Sequence, residues 1–212
     1  VLQEEDGSVD IQIQNIFTPS FLVFNKLQLN NQKILDEIKN LDFHQSDIHT
    51  ENRPLMSNSM KVLEEIPEGN ELKKTFSEYI DYGIRSVWRY NISHQIINSW
   101  VTKTYPTSES KFHTHKNFWL SAVYYPCNEN NFKIKFDSPR LDLSSFDIPV
   151  YERNIYNSFT WTYTIKEGDL ILFDAALRHK IDKNIANTVR YSIAMNILPK
   201  GQIGERDGTL VL

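Results

Sequence analysis

Six histidines and one cysteine are the nitrogen and sulphur side chains with most to offer a metal in this 212-residue chain. Cys127 alone allows neither an internal disulfide nor a thiolate-built zinc site, so a metal here would be held by nitrogen and oxygen. Three of the histidines form a pattern. His113-Thr114-His115 places two imidazoles at i and i+2, which share one face of an extended segment. His179 comes much later, just after the apolar run Gly168-Asp169-Leu170-Ile171-Leu172-Phe173. A His-x-His pair in a strand usually means nothing by itself. Joined to a third histidine from a distant strand, it could hold a metal with coordination positions left open for reaction. The other three have no such company: His44 and His49 lie in a polar stretch and read as solvent-exposed, and His94 reads as a sheet histidine.

A second pattern follows His179. In Arg190-Tyr191-Ser192-Ile193-Ala194-Met195-Asn196, alternate residues Arg190, Ser192, Ala194 and Asn196 share one face of a strand. An arginine pointing into a core is costly unless it meets an anion, and a guanidinium grips a carboxylate through two parallel N–H bonds. The alternative is an arginine at the strand's exposed edge. Asp169 reads as a turn residue, and Asp174 as a turn or solvated carboxylate, with partnership to a ligand imidazole as the other reading. Cys127 reads as a small thiol without a catalytic role.

These residues need elements to position them. Residues 9–16 and 16–24 read as strands broken near Pro19. Asn30 or Asn31 can cap a helix with the apolar face Ile34, Leu35, Ile38 and Leu41. Residues 42–60 read as a loop, and 70–89 as a second helix with a stripe through Leu72, Phe76, Ile80 and Ile84. From Asn91 the apolar period becomes two, and strands are expected over 92–101, 111–115, 119–125, 131–136, 159–165, 170–174 and 189–197. The class is therefore α+β, mainly β: a jelly-roll barrel supported by N-terminal helices. We expect one domain over 1–212, with a strand and supporting helices in 1–90, the barrel in 91–200 and a tail in 201–212.

Composition narrows the functional classes. Apolar residues make up 40% of the chain, enough for a core, and the net charge of −4 with no basic block argues against general nucleic-acid binding. No apolar run approaches a membrane span and the start shows no signal-peptide pattern, so a cytoplasmic protein is expected.

Taken together, His113-Thr-His115, Ser121-Ala-Val-Tyr124-Tyr125, Gly168 to Phe173, Arg178-His179 and Arg190 to Asn196 resemble the 2-oxoglutarate- and Fe(II)-dependent oxygenases. The order and spacing are similar to the prolyl-hydroxylase-like branch, and more narrowly to a family from marine bacteria and their phages. The resemblance covers residues 92–197 and implies a double-stranded β-helix with Fe(II) at its open end. It implies that His113 and His179 are ligands, with His115 where most of the family has Asp or Glu. An imidazole there lacks the carboxylate's negative charge and alters the charge balance at the metal. It further implies that Arg190, Ser192 and Tyr124 hold the far carboxylate of 2-oxoglutarate, that Tyr105 lies near this cosubstrate, and that Asn98 and Trp100 line the barrel. The activity implied is oxidation, by hydroxylation, of a small-molecule or peptide substrate in the cytoplasm (the host's, for a phage protein), with a homodimer left open.

Two other readings stay in view. A cupin-type three-histidine protein shares the barrel, but its first motif wants a glutamate where Phe118 and Trp119 stand. A non-enzymatic jelly-roll module would need none of the three histidines. The substrate is not legible; the segments 42–60 and 137–158 are expected to line the barrel mouth and set specificity.

Overall fold

The computed structural model describes residues 21–45, 52–127, 132–139, 149–154 and 157–212. The strand expected over 9–16, His49, and the parts of both mouth segments at 46–51, 140–148 and 155–156 lie outside the described residues.

The helices come first. In α1 (Asn31–Ile38) the Asn30 side chain caps by accepting from the Lys33 backbone N–H at 3.1 Å, which satisfies one of the orphan donors of the first turn. Ile34 and Ile38, one turn apart, are its buried residues. A short α2 (Val62–Glu65) leads into α3 (Gly69–Tyr82), which buries Leu72, Phe76 and Ile80 at four-residue spacing. The expected single helix to residue 89 instead becomes a π-helical turn over Gly83–Val87. The change falls at Gly83, where a Cβ would come within 2.9 Å of both Leu172 and Leu22, so the helix meets the sheet through its missing side chain.

A seven-stranded antiparallel sheet forms one wall. Its order is β1 (Phe21–Phe24), β8 (Leu170–Asp174), β5 (Leu120–Tyr124), β10 (Arg190–Lys200), β4 (Ser93–Thr104), β3 (Leu55–Ser57), β2 (Phe43–Gln45). A three-stranded sheet, β7 (Thr160–Thr164), β6 (Lys133–Asp137) and β9 (His179–Ile181), forms the other. A two-stranded ribbon of β11 (Gln202–Ile203) and β12 (Leu210–Val211) follows them. Two expectations change. Residues 42–60 contain the edge strand β2 and its neighbour β3, short strands whose apolar residues are too few to show a period. Residues 111–115 form no regular strand; only the single bridge between His113 and His179 remains of it.

Strand alternation divides the apolar residues into two layers. Leu120, Ala122, Tyr124, Leu170, Leu172, Ile193, Met195 and Ile197 face the helices. Val123, Tyr125, Ile171, Phe173, Trp100 and Ala194 face the small sheet. Phe76 of α3, fully buried, packs on Tyr124 with ring centroids 4.9 Å apart and ties the helices to the barrel. In β4 the register with β10 shifts between Asn196 and Ile197: Asn98 pairs with Asn196 but Ile96 pairs with Ile197, so Ile97 is a bulge. The bulge turns Ile96 to the helix layer while Trp100 stays in the barrel.

Phe76→Ala should leave a cavity between α3 and the large sheet and cost about 3–5 kcal/mol, read as a lower urea midpoint at unchanged slope.

Candidate functional site

Backbone pairing sets the two most distant histidines opposite each other. His113 N–H donates to His179 O at 2.9 Å, and His179 N–H returns to His113 O at 3.0 Å. His115 is fastened next door, its N–H donating to Ala175 O at 2.9 Å. One ring nitrogen from each of His113, His115 and His179 lies within 4.8 Å of the other two. Among the described residues no carboxylate joins this group.

The other ring nitrogens are already committed. His113 Nδ1 lies 2.8 Å from Lys111 O, His179 Nδ1 2.9 Å from Leu177 O, and His115 Nδ1 2.6 Å from Asn196 Oδ1. Carbonyl oxygens only accept, so each Nδ1 carries the proton and each Nε2 keeps its lone pair for a metal. The residues therefore fit a metal ion held by three neutral imidazoles, with further positions open to other ligands.

Aromatic walls surround the three rings. Trp100 stacks on His115 at 5.6 Å, and Phe173 meets His179 edge-on at 4.7 Å. Burial in these walls disfavours the charged form, with the neighbouring imidazoles adding to the effect. It lowers the His115 pKa despite the opposing Asn196 bond, and lowers that of His179 to about 3.

The cavity these residues line has a volume of about 460 Å³ and runs past Thr102, Val123, Tyr125, Ile134, Ser192 and Ala194. A larger cleft of 720 Å³ between α1 and the α2–α3 junction is shallower and gathers no imidazole or other metal-binding cluster, so it is not the candidate site. Arg190 lies one strand step beyond Ser192 on the same face, completely buried, with its guanidinium 4.6 Å from the Phe132 ring centroid. The exposed-edge alternative is thereby excluded.

Tyr124 is misassigned by one residue. Even spacing puts it on the helix face of β5, where its hydroxyl bonds Asn31 Oδ1. Tyr125, its neighbour, faces the cavity. The Tyr125 hydroxyl is buried without a hydrogen-bond partner among the described residues, and burial with nearby Asp169 raises its pKa. Tyr105 is also misplaced: it stands 40% exposed with Lys103 5.2 Å over its ring, outside the cavity lining. Lys103 pairs with Tyr191, on the outward phase of β4 and β10, and Tyr105 shares that side. Asn98 pairs with Asn196 and is half-buried, but it is not part of the cavity wall.

The remaining residues also have places. Asn196, legible only as part of a motif, is the residue that orients His115. Asp174 is exposed and accepts from Ala176 N–H, as a turn residue does. Asp169 is more than that: wholly buried, it accepts from Lys166 N–H and the Tyr163 hydroxyl through Oδ2. His44 is exposed but on β2, and His94 is mostly buried on β4, 3.8 Å from Asp81. Cys127 accepts from Tyr191 N–H at 3.3 Å, away from the cavity.

Comparison with known proteins agrees with this geometry. Residues 98–196 match a family model described as "Putative 2OG-Fe(II) oxygenase". No curated protein matches significantly. Among solved structures, HygX from Streptomyces hygroscopicus with nickel and 2-oxoglutarate bound is similar at a TM-score of 0.62 and 12% identity, covering 86% of this chain and 84% of its own. The carbocyclase SnoK from nogalamycin biosynthesis, described as non-heme and alpha-ketoglutarate-dependent, gives 0.60 and 10%, covering 90% and 85%. A prolyl hydroxylase from Trichoplax adhaerens gives 0.60 and 15%, covering 85% and 84%. Likeness at such identities speaks for the fold.

The lowered His179 pKa makes a prediction for the metal-free protein. Folded His179 stays neutral down to about pH 3, while the unfolded chain takes up its proton near the usual 6.5, so stability falls with pH across that window and is unaffected by this group above it. The melting temperature should drop from pH 7 to pH 5, and His179→Gln should drop less over the same range.

The chain has the double-stranded β-helix fold, and through residues 98–196 it resembles the 2-oxoglutarate- and Fe(II)-dependent oxygenases, a superfamily of oxidoreductases.

Proposed function

We propose that the protein is a 2-oxoglutarate-dependent dioxygenase that uses Fe(II) held by His113, His115 and His179 to oxidise a C–H bond of a small molecule or peptide. The observation that carries this reading is the convergence of three Nδ1-anchored imidazoles in the same cavity as Ser192 and the unpartnered Tyr125 hydroxyl. Fe(II) with 2-oxoglutarate supplies oxidative decarboxylation of the cosubstrate coupled to oxidation of the substrate.

The protein's own share is positioning and exclusion of water. Arg190, wholly buried and two residues along β10 from the cavity-lining Ser192, offers the far carboxylate of the cosubstrate a charge-assisted grip, and Tyr125 adds a hydroxyl donor. Trp100 and Phe173 shield the histidine side. Asn196 keeps the His115 tautomer that presents Nε2. A cupin-type reading shares the histidines but leaves this carboxylate grip without a use. A cytoplasmic setting belongs to the same proposal, supported by a chain whose single cysteine is free.

Anaerobic addition of Fe(II) and 2-oxoglutarate should produce the weak visible metal-to-ligand charge-transfer band. His179→Ala and Arg190→Ala should abolish it, and a wild type without the band would refute the proposal. The two tyrosines should separate. Tyr125→Phe should weaken 2-oxoglutarate binding about tenfold through the lost bond to a charged group. Tyr124→Phe should leave that affinity unchanged and lower the melting temperature.

A further inference from the structure

Beside the cavity lies a second concavity whose charge is unlike the rest of the molecule. This groove, about 590 Å³, is lined by Arg53, Lys111, Arg178, Lys180 and Lys183, with Glu109 as the one carboxylate in its wall among the described residues. The whole chain carries −4, so five cations around one groove are a local concentration of positive field. Arg53, Ser110 and Lys111 belong to the walls of both the groove and the histidine cavity, so the two adjoin.

The cations are held rather than scattered. Phe112 lies under two of them, with Arg178 Cζ 4.8 Å and Lys180 Nζ 5.7 Å from its ring centroid. Arg178 is braced by Asp137, and Lys180 by Glu109 at 2.9 Å and Asp182 at 3.5 Å. Among the described residues, with these three carboxylates counted, the five cations remain in excess. Lys111 and Lys183 make no salt bridge among the described residues. One guanidinium fork braced on a ring, flanked by ammonium groups around a space larger than a carboxylate needs, suits the many oxygens of phosphate.

We propose that this groove binds the phosphate groups of a phosphorylated small-molecule substrate whose reacting end reaches the three histidines. Anion binding stands on the groove alone; the position of the reacting end rests on the oxygenase reading above. The groove is separate from the carboxylate grip proposed at Arg190, which is wholly buried and is not part of the groove wall.

The test uses the full chain and pyrophosphate as probe. Calorimetry of the metal-free protein in chelator should show pyrophosphate binding that weakens with added salt. Lys180→Gln with Lys183→Gln should weaken it about tenfold, as loss of charge-assisted bonds does. Glu109→Gln, at an exposed position, should tighten it about threefold by removing an opposing charge. His179→Ala should leave it unchanged, and melting temperatures near wild type will show that the variants fold. Loading with Mn(II) should broaden the phosphorus resonances of bound pyrophosphate. No binding, binding indifferent to these lysines, or binding competed away by 2-oxoglutarate would overturn the proposal. Binding without broadening in a Mn(II)-loaded protein would overturn the link to the histidine cavity. Failure of the oxygenase reading alone would show as a missing charge-transfer band with pyrophosphate binding intact.

Discussion

The site depends on one pair of backbone hydrogen bonds, those exchanged between His113 and His179. His179 sits in a regular strand, paired with Phe136 of β6. His113 belongs to an irregular segment, flanked by left-handed backbone at Thr107 and Asn117. Nothing in local propensity would place His113 reproducibly. The reciprocal pair does so by using the strand as a template, and the His115 N–H to Ala175 O bond adds a third fixed point. The side-chain bonds at each Nδ1 then set ring orientation. Precision in the site is thus borrowed from the barrel, the arrangement expected when catalytic groups ride on loops held by a rigid scaffold.

The barrel in turn depends on alternation carried through every central strand. In β10, Tyr191, Ile193, Met195 and Ile197 go to the helices, while Arg190, Ser192, Ala194 and Asn196 go inward. The same eleven-residue strand therefore supplies core packing on one face and the polar parts of the site on the other. Helices α1 and α3 do no chemistry in this scheme; they cover the outer face so that the inner one can remain polar and partly open. Burying polar groups there is costly unless they meet partners: Asn196 bonds His115, Tyr124 bonds Asn31, and the Arg190 guanidinium lies over Phe132.

Much of this was legible in the chain itself. The three histidines, the inward face of residues 190–196 and most strands follow from period-two patterning and from the residue types that metal and anion binding require. The failures have physical causes. Tyr124 ends β5 and Tyr125 follows it, both buried, so composition could not say which one faced the barrel; only register tells them apart. Tyr105 was placed by motif position alone, and the chain leaves β4 before it can turn inward. The bulge at Ile97 conceals a phase change that no single period describes. Strands β2, β3 and β9 span only three residues each, too short for a pattern to emerge.

The three imidazoles differ sharply in how much water they see: His179 is buried, His115 intermediate and His113 exposed. The trio thus has a closed side and an open side. The buried ring rests on a strand and the exposed one on an irregular segment that also forms the wall of the cationic groove. Among the described residues the centre is most open at His113, so the ring nearest solvent is also the one beside the positively charged wall, and the ring farthest from it is the most enclosed.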